Sequence, residues 1–270
     1  MELKFKSNPY NSFNVKLLEK DVLNILDKLN IQNYKINNLS LFQKSFVHTS
    51  YCNLKDYEEY TKPDDCLSLF DESYETLEFL GDSFLGCIIT KYLYNRYVNF
   101  HNKDEGFLTK LKIRFVCGEQ LAYLSKSLGL DKYLIISKHI DDNCSGRENT
   151  HILEDIYEAF IGALYLDSGD FNIVEKFIIC SIETYIDFSE IILNDNNYKD
   201  QLLRYLQHNY KVYPKYVTKK NEEDNLFYCD IFRNENDKDI FISSGSGISK
   251  KKSEQDASRN SLIYYRVMSE

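Results

Sequence analysis

Two short runs carry the residues best suited to chemistry: Glu75-Thr76-Leu77-Glu78-Phe79-Leu80-Gly81-Asp82-Ser83 and Asp155-Ile156-Tyr157-Glu158-Ala159-Phe160-Ile161-Gly162-Ala163. Residues three or four apart share a helix face, so Glu78 stands beside Asp82 with Glu75 one turn back, and Asp155 stands beside Glu158. Neither run holds a Lys or Arg. Like charges about 4 Å apart repel by roughly 4 kcal/mol at an effective dielectric of about 20, so a convergence of these acids calls for a cation. A donor set made only of oxygens suits Mg²⁺ or Mn²⁺, hard ions that also take water and phosphate oxygens.

An acidic pair at helical spacing is, taken alone, most often a solvated face. The surroundings argue otherwise here. Leu77, Phe79, Leu80, Phe84, Leu85, Ile88 and Ile89 flank the first pair, and Ile156, Phe160, Ile161, Leu164 and Leu166 flank the second, so both helices are expected to be largely buried. Gly81 and Gly162 lie on the acidic faces. A mid-helix glycine costs about 1 kcal/mol relative to alanine, which points to the close approach of another backbone or a ligand.

With the spacing in view, Glu75 to Ser83 resembles the signature of the ribonuclease III family, Glu-Arg-Leu-Glu-Phe-Leu-Gly-Asp-Ser/Ala. Asp155 to Asp167 resembles its second motif, Asp-x-x-Glu-Ala-Leu/Phe-Ile-Gly-Ala-x-x-Leu-Asp. Phe46-Val47-His48-Thr49-Ser50-Tyr51 is similar to its Thr-His-Arg-Ser-Tyr helix, and Asp104-Glu105-Gly106-Phe107-Leu108-Thr109-Lys110 to its Glu-Gly-x-Leu-Ser/Thr-x segment. The resemblance implies that Glu78, Asp82, Asp155 and Glu158 bind divalent metal, with Asp82 and Glu158 nearest the chemistry and Glu75 and Glu105 in support. It implies two-metal-ion hydrolysis of double-stranded RNA with Mg²⁺, for which Mn²⁺ substitutes, leaving 5′ phosphates and short 3′ overhangs. It further implies a homodimer with one site per strand, in which Phe79 packs into the partner subunit. His48 reads as a satisfied core histidine, because two-metal hydrolysis needs no histidine base. Thr76 and Thr49 stand where the family often has Arg, and Glu154 where it usually has Ala.

These motifs must be positioned by an all-α domain. Residues 15–193 read as successive helices without period-two alternation or an internal repeat. A polar stretch near 52–73, rich in Asp and Glu, looks like an insertion and reads as a solvated loop. The apolar pattern stops at Asn194-Asp195-Asn196-Asn197, where a linker is expected. Beyond it, Asp200 to Asn209 reads as a short amphipathic helix, Tyr213–Lys219, Leu226–Phe232 and Ile240–Ser244 as strands, and Ser253–Val267 as a last helix. This α-β-β-β-α order resembles a double-stranded-RNA-binding domain, and Gly245 to Ala257 is similar to that domain's Gly-x-Gly-x-Ser-Lys-Lys-x-Ala-Glu-x-x-Ala. The resulting organisation is an endonuclease domain over 1–194 and a small α+β domain over 199–270. Lys250, Lys251 and Lys252, after Ser249, join ammonium charge to a helix N-terminus, which suits phosphates of an A-form duplex. Gln201 on the first helix is a further RNA-contact candidate, although Leu203 and Arg204 replace a pair often used for the minor groove. Glu222-Glu223-Asp224 fills a loop that is often basic.

The net charge of −9 would ordinarily speak against a nucleic-acid partner. The charge is segregated, however: residues 199–270 hold 13 Lys and Arg against 11 Asp and Glu, a net of +2, which leaves −11 for residues 1–198. Phosphate binding needs a local basic patch rather than a basic protein. Seven cysteines without a Cys-x-x-Cys indicate neither a disulfide framework nor a zinc site. No stretch approaches the roughly 18 apolar residues of a membrane span, and Met1 to Lys6 lacks the apolar run of a signal peptide. A soluble intracellular protein is expected, cytoplasmic or nuclear. The competing reading is a duplex-RNA-binding protein of the same fold that has lost catalysis, and retention of all four carboxylates opposes it. A di-iron helical protein would need Glu-x-x-His pairs, and a serine hydrolase a Gly-x-Ser-x-Gly elbow; neither is present.

Overall fold

The computed structural model describes residues 7–193, 197–235 and 238–268. The chain divides into two compact units, Met1–Ile191 and Ile192–Glu270. Met1–Lys6 and Asn194–Asn196, and with them most of the expected linker, lie outside the described residues.

The first unit is helical: α1 (Glu19–Asp27), α2 (Leu39–Lys44), α3 (Glu75–His101), α4 (Glu105–Phe115), α5 (Gly118–Leu128), α6 (Lys138–Cys144), α7 (Thr150–Ser168), α8 (Phe171–Tyr185) and α9 (Phe188–Leu193). Its described residues form no strand, only the isolated bridges Val47–Ile135 and Cys52–Phe70. The Asn149 side chain caps α7 by accepting from the His151 N–H at 2.9 Å, and Gly169, at φ 62°, ends the helix in the left-handed region. Between these caps α7 is apolar nearly all round, and Ile152 to Leu164 is almost wholly buried. A helix of that composition belongs at the centre of a domain. Helices α2, α3, α5 and α8 pack around it.

Helix α3 departs from the sequence expectation. Leu77, Gly81, Leu85, Ile88 and Ile89 are buried, but Phe79 is 79 % exposed and Tyr94 is exposed too, so only one face is covered. Stretch 52–73 also differs from a plain solvated loop. Its acids Asp56, Glu58, Glu59, Asp64 and Asp65 do lie outward or half-outward, yet Leu67, Leu69 and Phe70 pack against Val47, Tyr51, Cys52 and Ile135. Backbone bonds Asn53 N–H to Phe70 O at 2.8 Å and Phe70 N–H to Tyr51 O at 3.2 Å close the loop at its base.

The second unit runs α10 (Tyr198–Tyr210), β1 (Pro214–Lys220), β2 (Phe227–Glu235), β3 (Lys238–Gly247) and α11 (Lys250–Tyr264). The strands form an antiparallel sheet in the order β1-β2-β3, with a register irregularity between Ile231 and Phe232. Leu202 and Leu206 of α10, Cys229, Ile231 and Ile242 of the sheet, and Ala257 and Leu262 of α11 make its core. Helix α11 begins three residues before the expected Ser253, because Ser249 caps it at the Lys252 N–H. Among the described residues no helix is long and apolar enough to cross a membrane.

Candidate functional site

Helices α3 and α7 meet backbone to backbone. A methyl group on Gly81 would lie 2.6 Å from the carbonyl carbon of Glu158 and 3.1 Å from the backbone nitrogen of Gly162; one on Gly162 would lie 3.0 Å from the carbonyl carbon of Leu77. No larger residue fits either position without parting the helices. The close approach expected at both glycines is thus an approach of each helix to the other. Because Gly81 lies between Glu78 and Asp82, and Glu158 is itself part of the contact, the crossing sets the acids of α3 against those of α7.

The electrostatics follow from that crossing. Glu158 is only 8 % exposed, and burial first, then the charges of Asp82, Glu154, Glu78 and Asp155, push its carboxyl up to about 8. Glu78 is pushed up to about 7 by burial, then by Asp155, Glu75, Glu154 and Asp82. Burial also raises Asp155, against the lowering effect of a hydrogen bond in which the Tyr74 phenol donates to Asp155 Oδ2 at 2.8 Å. Among the described residues no Lys or Arg forms an ion pair with any of these four acids. Asp82 lies at the exposed edge of the group, and Glu75 is exposed one turn before Glu78.

Glu78, Asp82, Asp155 and Glu158 therefore lie within one another's field. Glu105 does not join them: it is exposed at the start of α4, and its Oε1 accepts from Thr109 Oγ1 at 2.7 Å. Among the described residues no three His, Cys, Asp or Glu side chains form a ready-made metal cage. The donor chemistry nevertheless fits a hard divalent ion, being oxygen-only, anionic, partly desolvated and without a cationic neighbour in an ion pair.

Three further side chains carry more weight than the sequence indicated, two of them beside this site and one at the far end of α7. Glu154 is a fifth carboxylate; burial raises it, and His151, whose Nδ1 lies 3.4 Å from Glu154 Oε2, works the other way. Gly118 leaves room for it, since a methyl group there would lie 3.0 Å from the Glu154 carboxyl carbon. Tyr74 is 2 % exposed and joins the start of α3 to α7 through Asp155. Asp167, at the end of the second motif, is structural: it accepts from Tyr34 Oη at 2.6 Å and from the Asn37 N–H at 3.0 Å. An acid in the last turn of a helix opposes the helix dipole, the one sequence signal that Asp167 must be held by donors. His48 is a satisfied, half-buried histidine. Its Nδ1 accepts from the Ser50 N–H at 3.1 Å, its ring meets the edge of Tyr74, and burial lowers its pKa.

In the second unit Lys250, Lys251 and Lys252 are exposed together on the first turn of α11. Gly247 brings the end of β3 onto that turn, since a methyl group there would lie 2.7 Å from the Ser253 nitrogen, and Gly245 meets the next turn at Asp256 and Ala257. Lys199 is engaged elsewhere, at 2.6 Å from Glu254 Oε2 and over the Tyr216 ring, and Arg204 pairs with Asp200 at 2.8 Å. Gln201 is half-buried on α10. The 222–224 loop is closed on itself, with Asp224 accepting from Tyr228 Oη at 2.7 Å.

A helical unit with a crossing of two acid-bearing helices, and a separate α-β-β-β-α unit with a basic helix start, together define a nucleic-acid-cleaving protein with its own duplex-binding module. Comparison with known proteins agrees with that class. The family model of the ribonuclease III domain matches residues 75–169, and that of the double-stranded RNA binding motif matches residues 198–265. Ribonuclease 3 of Borreliella afzelii is 34% identical over 84% of this chain and 85% of its own length, and that of Clostridium tetani 32% identical over 93% and 97%. A probable ribonuclease 3 of Acanthamoeba polyphaga mimivirus is 40% identical over 87% of this chain, which spans 39% of that longer protein. The chain belongs to the ribonuclease III family and is an endoribonuclease of that type.

Proposed function

We propose that the chain, as a homodimer, hydrolyses both strands of duplex RNA at the α3–α7 crossing, leaving 5′ phosphates and short 3′ overhangs. The observation that carries this reading is the glycine contact, which sets Glu78 and Asp82 against Asp155 and Glu158. Ribonuclease III enzymes are metal-dependent nucleases, and Mg²⁺, with Mn²⁺ as a substitute, is the ion this donor set suits. When bound, such ions neutralise charge on the scissile phosphate and lower the pKa of the attacking water. The chain's residues do the rest. Glu78, Asp82, Asp155 and Glu158 hold the ions, with Asp82 and Glu158 nearest the phosphate. Glu75 supports Glu78 from the preceding turn, while Glu105 acts at most from a distance.

Residues 1–194 form the endonuclease domain in this reading and residues 199–270 the RNA-binding domain. Lys250, Lys251 and Lys252, with Ser249 and Gln201, contact the duplex, and Phe79 packs into the partner subunit. An aromatic side chain left 79 % exposed on a helix otherwise anchored in a core supports that last assignment. We place the protein in the cytoplasm, where its seven unpaired cysteines stay reduced. Incubating the full chain with labelled duplex RNA, single-stranded RNA and DNA duplex, each with Mg²⁺ or chelator, tests the reading. Duplex RNA alone should be cut, and only with the ion. Binding without cleavage would mark a silent RNA-binding protein instead.

A further inference from the structure

Tyr74 is an unusual residue to find at the start of α3. It is buried, yet its phenol reaches across to another helix and donates to Oδ2 of Asp155 at 2.8 Å. Its position is fixed at three other points. Its N–H donates to Val47 O at 2.8 Å, its carbonyl accepts from the N–H groups of Leu77 and Glu78 at 2.8 and 3.0 Å, and its ring meets His48 edge-on at 5.9 Å. The phenol is thus held by the backbone turn that launches Glu78, and it grips an acid of the opposite helix.

We propose that Tyr74 is a positioning residue that makes Asp155 bind a divalent ion through one oxygen, Oδ1, and so favours Mg²⁺ over Ca²⁺. The inference rests on the functional reading above, in which Asp155 is a ligand. The physical argument has two steps. A carboxylate accepting a charge-assisted O–H···O bond is restricted in rotation, and the bonded oxygen is less available to a cation. Mg²⁺ demands near-octahedral geometry, which single-oxygen carboxylates satisfy, whereas Ca²⁺ also accepts carboxylates through both oxygens. Holding Oδ2 therefore suits the smaller ion. A buried phenol that merely satisfied its own hydrogen bond would stabilise the helix pair without sorting ions.

Tyr74→Phe removes the hydroxyl and leaves the ring, so the His48 contact and the backbone bonds persist. Partners that orient metal ligands are typically worth about 10- to 100-fold in metal affinity. Calorimetric titration of the RNA-free full chain should show Mg²⁺ binding weakened by about that factor and Ca²⁺ binding weakened far less. In Asp155→Asn the further change Tyr74→Phe should have no additional effect, because the bond it removes then serves no ligand. Unchanged Mg²⁺ affinity, or equal losses for the two ions, would overturn the proposal. Should Tyr74→Phe fail to fold, the wild-type chain carrying ¹³Cζ-tyrosine provides the reading. The Tyr74 resonance should shift with the midpoint of Mg²⁺ binding and remain that of a hydrogen-bonded phenol, and its release on Mg²⁺ saturation would refute the idea. Wild-type protein that binds no Mg²⁺ at all sinks the functional reading itself; normal wild-type binding beside an unaffected variant sinks only this inference.

Discussion

Gly81→Ala tests the helix crossing, and its size can be worked from the structure. The new methyl carbon would lie 2.6 Å from the carbonyl carbon of Glu158, where carbon atoms ordinarily pack at about 3.5–4.0 Å. The Glu158 carbonyl oxygen would lie closer still, so the helices must part by more than about 1 Å at that point. The obstructing atoms are backbone in the most buried helix, so no side chain can swing away. Overpacking of this kind costs about 1–3 kcal/mol. Replacing a mid-helix glycine returns about 1 kcal/mol of helix propensity. The net of roughly 1 kcal/mol corresponds to a drop in Tm of about 2–4 °C for a domain of this size. Catalysis should suffer far more, since a 1 Å misplacement of reacting groups can cost about 10²-fold. Gly86→Ala is the control on the same helix. The nearest atom to a methyl group there is Lys112 Nζ at 3.8 Å, so stability should rise slightly and cleavage stay unchanged. Thermal unfolding and single-turnover cleavage of a labelled duplex at saturating Mg²⁺ read both quantities. Gly81→Ala protein with wild-type Tm and wild-type turnover would refute the crossing as the device that assembles the site.

Glu158→Gln should keep the fold and duplex binding while nearly abolishing cleavage; rates within a few-fold of wild type in saturating Mg²⁺ would exclude Glu158 as a ligand. Glu78 and Glu158 are raised from an ordinary value near 4.5 to about 7 and about 8, so the folded, metal-free chain binds protons that the unfolded chain releases. Their contribution to stability therefore falls as pH rises from about 4.5 to about 8, while Mg²⁺ affinity rises over the upper part of that window; denaturant titrations of the metal-free chain at pH 6 and pH 8 should show less stability at pH 8. Replacing Lys250, Lys251 and Lys252 with Ala should raise KM at moderate salt, spare turnover at low salt, and make the plot of log affinity against log salt shallower by up to about 3; an unchanged affinity and slope would remove the cluster from the RNA surface. Phe79→Ala should weaken dimerisation by about 2 kcal/mol or more and reduce paired cuts, as sedimentation and product analysis would show; an active wild-type monomer at assay concentration contradicts it.

Much of the arrangement was legible because it is written in local periodicity. Acids at helical spacing, glycines on the same faces, the break in the apolar pattern near residue 197 and the strand pattern that begins near residue 213 required no tertiary knowledge. The expectation that α3 is buried nearly all round fails for the same reason: in an apolar run every residue reads as core, and only the packed helix shows that Leu77, Gly81 and Leu85 face inward while Phe79, the expected partner contact, faces out. Tyr74 and Asp167 were not legible as anchors, since their partners lie 81 and 130 or more positions away in sequence. The 52–73 stretch read as solvent-exposed from its acids, and its three apolar residues near Phe70 were too few to outweigh them without the Val47–Tyr51 surface they cover. Strand β3 reached past its expected end to Gly247 because pairing with Phe227 and Tyr228 holds residues whose own strand propensity is poor.

The central claim, that the α3–α7 crossing gathers a divalent-metal site, is met most directly by locating the ion itself. Anomalous diffraction from crystals of the full chain grown with Mn²⁺ should place scattering peaks among the carboxylates of Glu78, Asp82, Asp155 and Glu158, and Glu158→Gln should weaken them. Ordered helices with no peak at the crossing, at Mn²⁺ concentrations that support cleavage, would contradict the account.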